Sequence, residues 1–447
     1  MRGLQNIFKE ANMNKLVKYL LVALMLLGLT VSVFAGGGQE EKVEEKGKLV
    51  LATLNSVEGQ TTKKALLAFA ELKGIEVEIV EAPYSNLFEK QVLDMSQGTG
   101  LYDIVLLDDP WFTQYAENGW LTDLGPFFEK KGESGLSDDF IPTSAAISHY
   151  PYKTGKVYAI PFFGNAQMFF YRADLFAKYG LNRAPKTWDE TYAVMKKIYD
   201  SEEGVYGYVL RGQQGNPVVA QFMPVFWSFG GRMFSDDKSK VQIDTPEALN
   251  ALNFFLKLKD ISPPGAESFN AQQLATHMLQ GTAATTINWP AFVPAFEDPK
   301  QSKIVGKIGY APIPSGTVTG SSEIGHWIAA VPAGSKNKEL AFDFIHWATS
   351  AEKQKEHAKA MGTPPTRLSV FTDPELVKMD EFKHYPILKD CIANSTPRPR
   401  IANWNEVENT FGIYLSMAVA GKISPKEALS KAQAEVEKLM KKAGYMK

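Results

Sequence analysis

The chain has 447 residues, more than one compact core accommodates, so two lobes are expected. Its 45% apolar and 22% charged residues describe an ordinary folded protein and argue against extended disorder or coiled coil. A net charge of −2 with no long basic block argues against nucleic acid as a partner.

The N-terminus sets the compartment. Lys15 and Lys18 precede an apolar run from Tyr19 to Ala35, and Gly36-Gly37-Gly38-Gln39 follows. Basic residues, an apolar core and small residues at Val33 and Ala35 make an export signal, with cleavage expected after Ala35. An uncleaved anchor is the competing reading. Met13 begins a better-proportioned signal than Met1, and Gly36 stands where a lipoprotein carries Cys. Residues 36–47 are rich in Gly and Glu without apolar periodicity and read as a flexible tether.

Ordered structure is expected from Lys48. Leu49–Thr53 reads as a buried strand, Asn55–Gly59 as a polar turn and Thr61–Lys73 as a helix. Ile75–Val80 is a second strand, Ser85–Ser96 a helix, and Tyr102–Leu107 a third strand that ends at Asp108-Asp109-Pro110. Alternating strands and helices imply a parallel sheet with right-handed crossovers, hence an α/β fold. Later helix starts are marked by Thr187 with Glu190, Thr245-Pro246, Asp373-Pro374 and Ser424-Pro425 with Glu427. Lys338–Thr349 carries an apolar stripe of Leu340, Phe344 and Trp347, as a helix would.

Ligands of open parallel sheets bind beyond the carboxyl ends of the strands. That rule selects Thr53–Glu58, with Asn55 and Glu58, the turn at Tyr84, and Asp109-Pro110-Trp111. A carboxylate accepts two hydroxyl hydrogen bonds and an adjacent indole offers a flat apolar face, the mixed surface that sugars and polyols present. The alternative is that Asp109 caps the next helix and Trp111 packs inside. In Ile160–Tyr171 the amides of Asn165 and Gln167 interrupt an aromatic run and need partners, either backbone or ligand. Trp227, Trp289, His326-Trp327, Arg367 and Trp404 each lie where Gly, Pro or polar residues break an apolar pattern. A lone Trp is more often core than site, and His326 alone is more often structural.

Chemistry beyond binding is poorly served. There is no GxSxG elbow, P-loop or GxGxxG motif, and Asp109 with Glu58 are the only acids assigned to the site. The single Cys391 forms no internal disulfide, and six scattered histidines include no HExxH, so neither metal nor cofactor is expected.

Several segments together carry a family resemblance. They are YDIVLLDDPWFTQYAENGWLTDL at 102–124, KVYAIPFFGNAQMFFYRADLFAKYGL at 156–181, APKTWDE at 184–190, QGTAATTINWP at 280–290, GHWIAAVPAGSKNKELAFDFIHWATSAEKQ at 325–354 and GTPPTR at 362–367. In this order, behind an export signal, the chain resembles the extracellular solute-binding proteins of carbohydrate ABC importers, the group that includes maltose- and trehalose-binding proteins. DDPW is more similar to the polyol or small-sugar branch. The resemblance implies a two-lobed periplasmic-binding-protein fold, each lobe a mostly parallel sheet flanked by helices, joined by a hinge of two or three crossing strands. The lobes would comprise 48–158 with 323–370, and 161–318 with 372–447. The cleft would receive Asn55–Glu58, Asp109, Trp111, Asn165, Trp227, Trp289, Gly325–Trp327, Arg367 and Trp404. Many relatives have Gly-Gly where this chain has Gly325-His326, which brings His326 into consideration. The implied function is capture of a sugar or sugar alcohol by a monomer that delivers it to a membrane permease, without catalysis. The rivals are a secreted glycoside-acting enzyme and a binding protein for a non-sugar solute such as a polyamine, phosphonate or iron.

Overall fold

The computed structural model describes residues 47–447. The export signal at 1–35, and the tether up to residue 46, lie outside the described residues.

The first sheet contains β1 (Lys48–Leu54), β2 (Glu76–Ala82), β3 (Ile104–Asp108), β4 (Ala159–Phe163) and β8 (Trp327–Ala330), in the order β2-β1-β3-β8-β4. β1 pairs in parallel with both β2 and β3, through α1 (Val57–Lys73) and α2 (Tyr84–Gln97). α1 begins earlier than the polar turn suggests because Gly59 lets its first turn lie against the end of β1. A Cβ there would fall 1.5 Å from the Leu54 carbonyl oxygen. Leu49, Leu51, Ile104–Leu107 and Ile328 are buried in this sheet's core.

The second sheet is β6-β5-β7, from β5 (Met168–Arg172), β6 (Thr285–Asn288) and β7 (Ile308–Ala311). Its central strand is buried throughout because both faces are covered. Phe169 and Tyr171 enter one core with Trp188, Phe222, Phe411 and Trp404, while Met168 and Phe170 enter another with Phe296, Tyr310 and Cys391. Side chains that alternate across a strand therefore feed two cores at once.

The expectation of mostly parallel sheets needs correction. β8 is antiparallel to both β3 and β4, and β5 is antiparallel to both β6 and β7. The cause is the same in each sheet. Two strands run parallel to one another, and a strand arriving from the other half of the chain is slotted between them in reverse.

Three segments cross between the sheets. Gln167 N–H donates to the Glu323 carbonyl (3.0 Å), Gly325 N–H to Asn165 (2.9 Å), and Thr396 N–H to Ser322 (2.9 Å).

Helix starts follow the sequence signals. The hydroxyl of Thr187 accepts from Glu190 N–H and the Glu190 carboxylate accepts from Thr187 N–H before α3 (Trp188–Ser201). Thr245 caps a further helix, Pro246–Asp260, and Ser424 caps Pro425–Lys442. The Asp373 carboxylate accepts from Glu375 and Leu376 N–H but opens a 3-10 turn, Leu376–Lys378, and not an α-helix. Cys391 is buried in Tyr385–Ala393, where apolar surroundings push its thiol up to about 12. Among the described residues no helix is long and apolar enough to cross a membrane.

Candidate functional site: a cleft between the two sheets

A cleft of about 830 Å³ opens between the sheets at the crossing segments. The first sheet contributes Asn55, Glu58, Tyr84, Asp108, Trp111 and Trp327, from loops and strand ends at its carboxyl edge. The crossings contribute Asn165, Gly325 and Arg398. The second half contributes Arg211, Asn216, Asn270, Trp289 and Glu408.

Eight of the fourteen residues singled out in the sequence line this cleft: Asn55, Glu58, Tyr84, Trp111, Asn165, Trp289, Gly325 and Trp327. Their roles differ. Trp111 is fully buried, its ring 4.8 Å from Tyr84 and edge-on to Trp327 at 5.7 Å between centroids, so it backs the wall and offers no free face. Trp289 is half-buried and is the cleft's accessible indole. Its ring edge rests on Gly325, where a Cβ would lie 2.5 Å from Trp289 Cη2. The Glu58 carboxylate accepts from Ser56 Oγ (2.6 Å) and Asn165 Nδ2 (3.3 Å), while Asn165 Oδ1 is buried without a partner among the described residues.

Six do not line it, and each has a physical reason. Asp109 is 0% exposed; its carboxylate accepts from Arg398 Nη2 (3.1 Å) and Arg400 Nη1 (2.9 Å). Burial pushes that carboxyl up, against the opposing pull of both guanidiniums. Gln167 donates to the Ala220 carbonyl inside the protein (3.0 Å). His326 bridges Ser144 Oγ (2.6 Å) and the Asn165 carbonyl (2.9 Å), and burial lowers it to about 4, so it is a neutral structural group. Arg367 lies in a separate depression, donating to the Thr349 carbonyl and stacked 4.0 Å over Phe140. Trp404 is buried in the second-half core, against which half-buried Trp227 packs.

The residues that sequence reasoning passed over form the floor. Arg398 Nη2 donates to Asp108 (3.0 Å) as well as Asp109, and Tyr84 Oη donates to the other Asp108 oxygen (2.8 Å). Glu323 is buried 3.5 Å from Arg398 Nε, and among the described residues neither of its carboxylate oxygens accepts a hydrogen bond; burial pushes it up to about 8. Glu408 accepts from Asn216 Nδ2 (3.0 Å), and burial pushes it up to about 7. The available signals were Arg398 and Arg400 around Pro399, and Asn405, Glu408 and Asn409 at helical spacing, in the segment where Trp404 drew attention instead.

Two sheets bridged by three crossing segments, with an amide- and indole-lined cleft at the bridge, define a two-lobed binding protein. The chain belongs to the family described as bacterial extracellular solute-binding protein, which it matches over residues 54–355. Among relatives, a probable amino-acid ABC transporter periplasmic-binding protein of Sinorhizobium fredii is 27% identical, covering 85% of this chain and 86% of that protein. A mannitol-binding protein of Pseudomonas aeruginosa is 27% identical, covering 89% and 94%. The crystal structure of an ABC transporter solute-binding protein from Agrobacterium radiobacter K84 in complex with ribitol superposes with a TM-score of 0.81 at 29% identity, covering 88% of this chain and 99% of that one.

Proposed function

We propose that this protein is the capture component of an ABC importer for a neutral polyol or small sugar, exported by a signal cleaved after Ala35. It binds its ligand in the cleft as a monomer, hands it unchanged to a membrane permease, and uses no metal or cofactor. The observation that carries this reading is how the cleft distributes its charge. The guanidiniums of Arg398 and Arg400 are consumed by Asp108 and Asp109. What faces the ligand is then mostly amide, hydroxyl and indole, suited to hydroxyls on one side and C–H on the other. The ribitol- and mannitol-binding relatives support the same class of ligand.

The test is a melting screen of the purified protein against mannitol, ribitol, maltose and the common amino acids, since a ligand that binds only the native state raises the midpoint. A polyol or sugar should raise it, calorimetry should give a saturable isotherm, and chromatography should recover the ligand intact. A response to amino acids alone, or hydrolysis products, would overturn the reading.

A further inference from the structure

Arg211 differs from Arg398, the other guanidinium that lines the cleft. It is 8% exposed, yet among the described residues it forms no ion pair. Its Nε donates to Asn270 Oδ1 (2.8 Å), and the same oxygen accepts from Ala271 N–H (2.8 Å) at the start of helix Ala271–Leu279. Asn270 N–H in turn donates to Gln273 (3.0 Å), so the anchor is rigid. That anchor uses only Nε. Nη1 is buried without an acceptor, and Nη2 makes no hydrogen bond among the described residues. A buried guanidinium nitrogen without an acceptor is costly unless something else satisfies it. Burial lowers Arg211 to about 10, which leaves it charged at neutral pH.

Glu408 faces the same space. Helix Trp404–Val419 presents Asn405, Glu408 and Asn409 to the cleft, three and four residues apart and hence on one face. One Glu408 oxygen takes the Asn216 hydrogen bond, and the other accepts none among the described residues. Arg211 and Glu408 each feel the other's charge, yet they do not pair. A planar fork of donors beside an open acceptor is the complement of two neighbouring hydroxyls, whose oxygens receive from the fork and whose proton goes to the carboxyl. A ligand carboxylate would satisfy the fork but, as pH rises above about 7 and Glu408 ionises, would meet it as a like charge.

Resting on the polyol reading above, we propose that Arg211 and Glu408 form the specificity clamp of the cleft, gripping a vicinal diol of a neutral ligand and refusing the corresponding acid. Neither residue was legible as a site from the sequence, and the clamp assigns the ligand's orientation. The diol points to Arg211 and Glu408, and the C–H face lies towards Trp289.

The experiment is calorimetric titration of the full chain with the tightest neutral ligand of the screen, taken here as D-mannitol, and with its aldonate, D-mannonate. Wild type should prefer mannitol by about tenfold or more, the scale of one charged contact made or spoiled. Arg211→Met should weaken mannitol by about 10- to 100-fold, the worth of one to two hydrogen bonds to a charged group. Glu408→Gln should shift the mannitol-to-mannonate ratio towards mannonate, a change that a purely structural role does not produce. Should Arg211→Met fail to fold, Arg211→Lys keeps the charge, loses the fork, and should still weaken mannitol. Equal wild-type affinity for acid and polyol, mannitol binding unchanged in the folded Arg211 variant, or an unchanged ratio in Glu408→Gln overturns the clamp alone. Failure of every neutral sugar and polyol to bind wild type overturns the proposed function and the clamp with it.

Discussion

Asp109→Asn separates two accounts of a conspicuous acid. In the structure Asp109 is sealed from the cleft and shared by Arg398 and Arg400, so its charge holds the floor together. Asn keeps one acceptor oxygen but leaves a buried guanidinium without its counter-charge, and breaking a buried pair in this way costs about 3–5 kcal/mol. For about 400 ordered residues the unfolding entropy is about 0.8 kcal/mol/K, so the midpoint should fall by about 4–6 °C. Ligand affinity, measured by calorimetry well below the transition, should change by no more than about threefold, because no Asp109 atom faces the ligand. Calorimetric scanning and titration of the same preparations give both numbers. A midpoint within 1 °C (roughly the shift from under 1 kcal/mol) together with a tenfold loss of affinity would refute this account and return Asp109 to the ligand.

Three further outcomes are expected. Gly325→Ala places a methyl 2.5 Å from the Trp289 ring and forces the ring aside, so ligand affinity should drop about tenfold in titration, with only a small change in apo melting. Trp289→Ala should weaken binding by roughly 1–3 kcal/mol, the scale of ring stacking; a large loss of apo stability with unchanged affinity would mark Trp289 as core. Glu323 is raised from 4.5 to about 8 by burial, so between those values the unfolded chain releases a proton that the native state keeps. Stability is therefore full below the lower value and is lost as pH rises through the higher, by at most about 1.4 kcal/mol per pH unit. Glu408 (to about 7) adds the same sign, so melting should decline from pH 5 to 8, and Glu323→Gln should flatten that limb; an unaltered limb would count against the assignment.

The first three strands were legible because each is a short apolar run bounded by turn residues, and their carboxyl ends do carry Asn55, Glu58 and the Asp108 corner to the cleft. The reversed strands were not, since nothing within Trp327–Ala330 says that its neighbours lie more than 150 residues earlier, at Leu107 and Pro161. The same limit governs the site. Asp108 and Asp109 look alike in sequence, and the choice between them is made by Arg398 and Arg400, which arrive 289 to 291 residues later. Trp289 and Trp327 were found because Asn, Pro, Gly and His neighbours interrupt their strands. Arg211 and Glu408 were missed because a charged residue in a polar stretch reads as surface until the fold buries it.

The lone Cys391 matters to anyone who wishes to watch this protein at work. Its thiol is enclosed by the core around Tyr385 and Ile392 and is held in the unreactive protonated form. Thiol-directed dyes should therefore pass it by and mark only cysteines introduced by design. A pair placed at exposed positions such as Leu93 and Val305 would carry donor and acceptor fluorophores without first stripping the natural residue. The chain is in that sense already blank for distance measurement, one molecule at a time.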